Sequence, residues 1–232
     1  MLVLIPTARE AKALLDPGLL PRGEEPQAAE VGGRPVRVAL VGFGPAAAGA
    51  LSALALARER PRRCLVLGVC GSYDTRLLPV GALASARHAC LADLGVERYG
   101  GWQGPRSLGL EQAPALPGRA AVSQWLDLPV WPGLEREPAA AFLTVSRASG
   151  CAEEAAQRVA AARERLDLPA GAVPLAEDME SFAVALAASR LGVACHVVRA
   201  VSNEAGEPRR AAWDLAGALA ALRAWLLTAS LG

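Results

Sequence analysis

The hydrophobic and polar positions along this chain fall into short apolar runs and longer amphipathic segments. Short apolar runs rich in β-branched residues predict buried strands, and apolar residues spaced three or four apart predict helices. Strands are predicted at residues 2–5, 34–44, 64–69, 80–89, 141–145, 172–175 and 195–201, and helices from residue 8 and at 46–60, 152–166 and 210–227, with one more between the last two strands. This alternation predicts an α/β protein.

Two polar clusters stand where apolar runs end near the C-terminal third of the chain. Residues 177–180 read EDME and follow the predicted strand at 172–175, and residues 202–204 read SNE and follow the strand at 195–201. With the helix between them, these strands are interpreted as a βαβ unit. Open α/β sheets bind ligands at the carboxyl ends of their strands. We therefore expect both clusters to belong to one functional site.

The first predicted helix brings a further carboxylate towards the first strand. Pro6 ends that strand, Thr7 suits a helix N-cap, and Glu10 falls in the first turn of the helix. Glu10 would thus lie beside the strand end, although a glutamate there also suits the helix dipole without any further role. The VGFGP sequence at residues 41–45 lacks the third glycine of a dinucleotide-binding loop, because that position is Ala47.

Composition limits the possible functions. The 232 residues are 53% hydrophobic, which suits one domain spanning 1–232, and a net charge of +1 argues against nucleic acid as a partner. Five cysteines with no paired spacing indicate a reducing cytoplasm. No apolar run is long enough to span a membrane. His88 and His196 are the two histidines, too few for a histidine-built metal site or a Ser-His-Asp relay.

Several motifs in this order resemble those of the purine nucleoside phosphorylase and nucleosidase superfamily, and within it the futalosine hydrolase branch. They are IPTAREA (5–11), VGFGP (41–45), LGVCGSY (67–73), ADLGV (92–96), TVS (144–146), DME (178–180) and VRAVSN (198–203). The resemblance covers nearly the whole chain. It implies a three-layer α/β/α fold with a mixed, partly barrel-like central sheet, and a homodimer or larger homo-oligomer.

The resemblance also assigns roles to residues. Glu180 would accept hydrogen bonds from the ribose hydroxyls while Met179 packs on the sugar, and Glu10 would activate the attacking water. Asn203, where adenine-directed relatives have an aspartate, would bind a 6-oxopurine. Ser146, Ser149, Gly150 and Ser202 fall where the family lines its base pocket, and Arg199 is either beneath the site or part of a structural ion pair.

The implied reaction is hydrolysis of futalosine to hypoxanthine and dehypoxanthine futalosine in menaquinone biosynthesis, with no metal or organic cofactor. Bacterial phosphorylases of the superfamily bind phosphate through side chains where this chain has Val66 and Val69, so water is the expected nucleophile. Three alternatives remain open: a 6-oxopurine nucleoside phosphorylase, a nucleosidase for aminodeoxyfutalosine or methylthioadenosine, and a non-catalytic nucleoside sensor. The carboxyphenyl tail of futalosine calls for a cation, for which the sequence offers Arg98, Arg209 and Arg210.

Overall fold

The computed structural model describes residues 1–19, 21, 25–98, 101–135, 139–164 and 173–231. Its strands are β1 (Leu2–Ile5), β2 (Gln27–Val31), β3 (Arg34–Leu40), β4 (Arg63–Ser72), β5 (Leu83–Leu91), β6 (Val96–Arg98), β7 (Gly101–Gln103), β8 (Trp125–Asp127), β9 (Ala139–Thr144), β10 (Leu175–Asp178) and β11 (Ala194–Glu204). Its helices are α1 (Ala8–Leu14), α2 (Pro45–Glu59), α3 (Ala152–Glu164), α4 (Ser181–Leu191) and α5 (Leu215–Thr228), with a 3₁₀ turn at Arg210–Ala212.

The main sheet is mixed and closes on itself at one end. Its strand order is β10-β9-β5-β11-β4-β1-β3-β2, and β10 also pairs antiparallel with the end of β4. Strands β4, β11, β5, β9 and β10 therefore form a ring, while β1, β3 and β2 extend from it as an open sheet. The expected partly barrel-like sheet is confirmed.

The expected βαβ arrangement is wrong in one respect. Strand β11 runs parallel to β4 and β10 runs antiparallel to it, so β10 and β11 point in opposite directions. Ring closure explains this, because β10 has to meet the C-terminal end of β4 at Gly71 and Ser72. The two polar clusters still meet, since Glu177 and Asn203 both pair in register with Gly71.

Helices cover the sheet on both faces. Helices α2 and α4 pack over the apolar cluster that contains Leu56, Phe142 and Phe182. Helices α1 and α5 cover the opposite face through residues such as Leu14 and Leu222. Helix α3 packs with β9 and β10 in a smaller cluster. The expected three-layer α/β/α architecture is confirmed.

Several boundaries differ from the sequence-based expectation. The strand expected at 172–175 is found at Leu175–Asp178, whereas 165–172 lie outside the described residues. Strand β11 continues through Ser202 and Asn203, expected in a turn, because it keeps pairing with β4 past an irregularity between Val201 and Asn203. The C-terminal helix begins only at Leu215, since the Asp214 side chain caps it by accepting from the Gly217 N–H.

Candidate active site

A cavity of about 240 Å³ opens where α1, the end of β4, β10, the end of β11 and the start of α5 meet. Residues from distant segments of the sequence line it together, from Pro6 near the N-terminus to Leu219 in α5. Of the predicted site residues, those that line it are Glu10, Ser149, Met179, Glu180, Ser202 and Asn203. The structure thus brings together both predicted catalytic residues and both predicted ribose residues.

Two predicted base-pocket residues lie outside this lining. The N–H of Ser146 donates to Asp93 at 2.6 Å, and the N–H of Gly150 donates to Glu154 at 2.7 Å. Both peptides therefore point towards side chains of the protein surface rather than into the cavity. Ala148 and Ser149, from the same loop, do line it.

Glu10 is held at both of its carboxylate oxygens. Its Oε2 accepts from the Thr7 N–H at 3.1 Å and the Thr7 hydroxyl at 2.7 Å, while the Glu10 N–H donates to Thr7 Oγ1. This reciprocal capping box fixes the start of α1. Its Oε1 accepts from the Val69 N–H at 3.2 Å, and only 8% of the residue is exposed. Glu10 thus joins the helix start to the edge of β4.

Arg199 is the buried cation of the site. Its Nη2 lies 2.8 Å from Asp178 Oδ2 and 3.1 Å from Glu180 Oε2, and its Nη1 donates to the Val69 carbonyl at 3.3 Å. Burial by itself would lower the pKa of Arg199, but the neighbouring carboxylates raise it above its ordinary value. The guanidinium therefore stays charged and reduces the repulsion between the Asp178 and Glu180 carboxylates.

Gly68 makes room for this ion pair. Arg199 on β11 pairs with Gly68 on β4, and its side chain crosses that glycine. A Cβ at Gly68 would lie 2.4 Å from Arg199 Nη1 and 2.7 Å from Glu10 Oε1. Only a residue without a side chain allows both charged groups to approach the strand so closely.

Glu180 presents a carboxylate at the N-cap of α4. Its Oε1 accepts from the Gly44 N–H at 3.1 Å, and its Oε2 accepts from Arg199. Burial raises the pKa of Glu180; the Arg199 guanidinium opposes the rise, and the Asp178 carboxylate adds to it. Asp178 is fixed in turn by the Thr144 hydroxyl at 2.6 Å and the Ser181 N–H at 2.9 Å. The Glu180 carboxylate is thus rigidly placed yet easier to protonate than an ordinary glutamate.

Asn203 is oriented by its neighbours. Its Oδ1 accepts from the Ser202 hydroxyl at 2.7 Å, and its Nδ2 donates to the Glu204 carbonyl at 2.8 Å. Ser202 steadies the amide in this way. One Nδ2 hydrogen and one Oδ1 lone pair of Asn203 remain for a ligand.

Sequence reasoning missed a buried network around Glu177. Its Oε2 accepts from the Tyr73 hydroxyl and the Ser149 hydroxyl, both at 2.6 Å, and its Oε1 accepts from the Ser149 N–H at 3.0 Å. Burial raises the pKa of Tyr73, and the Glu177 carboxylate raises it further, so the phenol stays protonated. Glu177 therefore fixes the loop of Ser149 against the cavity. The sequence signal that could have revealed this network is the position of Glu177 next to Asp178 in the EDME motif.

Five further lining residues were given no role by the sequence analysis. They are Arg9, Phe43, Trp213, Leu215 and Leu219. Arg9 and Phe43 are exposed and therefore lie at the mouth of the cavity. Of the cations proposed for the substrate tail, Arg209 forms a two-point ion pair with Glu207, and neither it nor Arg210 lines the cavity. The side chain of Arg98 lies outside the described residues.

No group of three or more histidine, cysteine, aspartate or glutamate side chains in the described part of the chain is arranged to hold a metal ion. Within the same ranges, no helix combines the length and apolar character needed to cross a membrane. A second cavity, of about 470 Å³, is lined in part by Asp93 and Arg158. The predicted catalytic and ribose residues do not line it.

Comparison with known proteins identifies relatives along almost the whole chain. The sequence model of the Phosphorylase superfamily matches residues 4–226. A futalosine hydrolase from Streptomyces coelicolor is 38% identical over 186 residues, which is 78% of this chain and 72% of that protein. Both findings confirm the resemblance read from the motifs.

Solved structures share the fold at low sequence identity. The 5′-methylthioadenosine/S-adenosylhomocysteine nucleosidase from Helicobacter pylori superposes with a TM-score of 0.70 at 16% identity, covering 98% of this chain and 95% of that one. The native futalosine hydrolase of Helicobacter pylori gives a TM-score of 0.69, also at 16% identity, covering 97% and 94%. On the matched family model and the Streptomyces relative, the chain belongs to the Phosphorylase superfamily and, within it, to the futalosine hydrolase family.

Proposed function

We propose that this protein hydrolyses the N-glycosidic bond of futalosine, releasing hypoxanthine and dehypoxanthine futalosine in menaquinone biosynthesis. The observation that carries the proposal is the convergence of Glu10, Met179, Glu180 and Asn203 on one cavity. The name of the Streptomyces relative supports futalosine as the substrate. The enzyme is an N-glycosyl hydrolase that acts through its own side chains.

Glu180 and Met179 hold the ribose in this mechanism. Each carboxylate oxygen of Glu180 has one protein donor and keeps a further lone pair, so the carboxylate has room for the 2′ and 3′ hydroxyls. The sugar becomes cation-like as the glycosidic bond breaks. A fixed carboxylate beside it therefore stabilises the transition state more than the ground state.

Glu10 activates the water. Its Oε2 is occupied twice by Thr7, whereas its Oε1 has the single donor Val69 N–H and keeps a lone pair for a water proton. A positioned carboxylate of this kind accelerates proton transfer by about 10²–10⁴-fold. Asn203 meets the departing purine: its free N–H suits N7 or O6, and its carbonyl suits the N1–H of a 6-oxopurine.

The charges around the cavity support water rather than phosphate as the nucleophile. Four carboxylates and two arginines line it. The buried Arg199 is already paired with Asp178 and Glu180, and Arg9 is exposed. Val69, at a position where phosphorylases bind phosphate, offers a backbone N–H that Glu10 already occupies. A phosphate dianion would face Glu10 directly and be repelled.

A nucleoside panel assayed for free base, with and without phosphate, tests the proposal. We expect hypoxanthine release from futalosine at the same rate in phosphate-free buffer. Phosphate-dependent turnover would favour a 6-oxopurine phosphorylase, and preference for 6-amino nucleosides would favour an adenine nucleosidase. Glu180→Gln serves as the matched variant: it should abolish turnover, whereas a sensor would bind the nucleoside and release no base in either form.

We also propose that residues 1–232 form one catalytic domain that acts in the cytoplasm as a homodimer or larger homo-oligomer. All five cysteines are free thiols, which is typical of a reducing compartment. Light scattering of the purified protein and fractionation of the source cells test these points.

A further inference from the structure

We propose that Arg9 binds the anionic end of the substrate, the carboxylate of the carboxyphenyl tail, and so determines specificity at the cavity mouth. The inference rests on the proposed function, because futalosine is the nucleoside that supplies such a tail. Arg9, which lines the cavity, takes the role for which the sequence had offered Arg98, Arg209 and Arg210.

The charge pattern of the lining leads to Arg9. Two arginines line the cavity, Arg9 and Arg199. Arg199 is 1% exposed and its charge is neutralised by Asp178 and Glu180. Arg9 is exposed and makes no hydrogen bond or ion pair with any described residue, so its guanidinium is available to a ligand. Guanidinium groups bind carboxylates at two points, which gives both affinity and orientation.

The position of Arg9 is unfavourable for the helix that carries it. Arg9 stands in the first turn of α1, where the helix dipole favours a negative charge, and the capping there is done by Thr7 and Glu10. The stability of α1 therefore gives no reason for an arginine at this position. Binding an anion does give one, because Arg9 lines the same cavity as Glu10, the next residue of this turn.

An apolar wall beside Arg9 suits the aromatic ring of the tail. Phe43 is 68% exposed although it lines the cavity. It lies between Gly42 and Gly44, whose φ angles of 81° and 85° favour glycine and present the ring outward. Trp213 and Leu215 complete the wall from the start of α5. The cavity lining therefore offers apolar side chains for the aryl ring of the tail and the Arg9 guanidinium for its carboxylate.

The test compares futalosine with its methyl ester, which keeps the ring and removes the charge. Hypoxanthine release is measured at low and high ionic strength for the wild type, Arg9→Ala, Arg9→Lys and Lys12→Ala. Lys12 is an exposed cation of the same helix that does not line the cavity, so its variant controls for the loss of one positive charge.

We expect Arg9→Ala to lower kcat/KM for futalosine about tenfold, mainly through KM, and to leave the ester unchanged. Arg9→Lys should recover part of the lost kcat/KM for futalosine, and Lys12→Ala should leave kcat/KM unchanged for both substrates. In the wild type, high ionic strength should reduce the difference in kcat/KM between futalosine and its methyl ester. Equal effects of Arg9→Ala on both substrates, or no effect on either, would overturn the inference. Absence of hypoxanthine release by the wild type itself would instead overturn the proposed function, and this inference with it.

Discussion

Replacing Gly68 with alanine tests the geometry on which the site depends. The added methyl carbon would lie 2.4 Å from Arg199 Nη1 and 2.7 Å from Glu10 Oε1, whereas nonbonded contacts need about 3.5 Å. Both charged groups therefore have to retreat by about 1 Å. Their hydrogen bonds to the carbonyl and N–H of Val69, at 3.3 Å and 3.2 Å, would be broken or badly distorted.

The cost follows from burial. Overpacking costs about 1–3 kcal/mol, and a charged hydrogen bond lost in a buried site adds about 1.5–3 kcal/mol. We expect Gly68→Ala to lower the free energy of unfolding by about 3 kcal/mol, with a Tm about 6–12 °C lower for a chain of this size. Because Glu10 and Arg199 are displaced together, kcat for hypoxanthine release should fall about 100-fold in the folded enzyme.

Gly49→Ala is the matched control. Gly49 lies inside α2, and a Cβ there would meet the Ala183 side chain at 3.6 Å, an ordinary contact. Alanine is favoured over glycine inside a helix by about 1 kcal/mol, so this variant should melt slightly higher and keep full activity. If Gly68→Ala has the same Tm and kcat as Gly49→Ala, the inferred close approach of Arg199 and Glu10 to β4 is wrong.

Three further predictions concern the lining residues. Glu10→Gln should lower kcat at least about 100-fold in single-turnover assays. It should also lower the Tm, because the amide oxygen can keep the capping box with Thr7 but the amide NH2 cannot accept from the Val69 N–H. Asn203→Asp should shift the kcat/KM ratio towards 6-amino nucleosides in competition assays. The raised pKa of Glu180 should place the acid limb of the wild-type kcat/KM profile above the usual glutamate range. Because the folded-state pKa is raised, the contribution of Glu180 to the free energy of unfolding is fully present below the unfolded-state pKa and is lost as pH rises through the folded-state pKa. Urea titrations at several pH values measure this loss.

The sequence predicted the elements whose patterns are local. The strand at Leu2–Ile5 and the Thr7 cap were predicted to the residue, because an apolar run followed by proline and a capping residue depends only on neighbours. The late start of α5 at Leu215 was not predicted, since leucines at helical spacing hide the break that Asp214 introduces. Nor was the reversed direction of β10, which is set by pairing with β4, about a hundred residues earlier.

The same division applies to the site. Glu10, Met179, Glu180 and Asn203, which line one cavity, were selected from the sequence because they stand in motifs with a defined chemistry. The central position of Arg199 was left undecided, because an arginine on a strand has the same pattern whether it pairs with acids or contacts a ligand. Phe43 and Arg9 stand in motifs of the resemblance but were given no role there, and their place in the cavity lining follows from the packing of distant segments.

Thr7 and Glu10 give this protein an unusual constraint on its evolution. Residues that perform chemistry are often a burden on folding, and replacing them commonly makes an enzyme more robust. Here the proposed base also secures the beginning of its own helix and tethers that helix to the central sheet. Selection for heat tolerance alone would therefore retain Glu10. Inactive descendants of this enzyme should carry glutamine there more often than alanine, because glutamine still forms the capping box with Thr7.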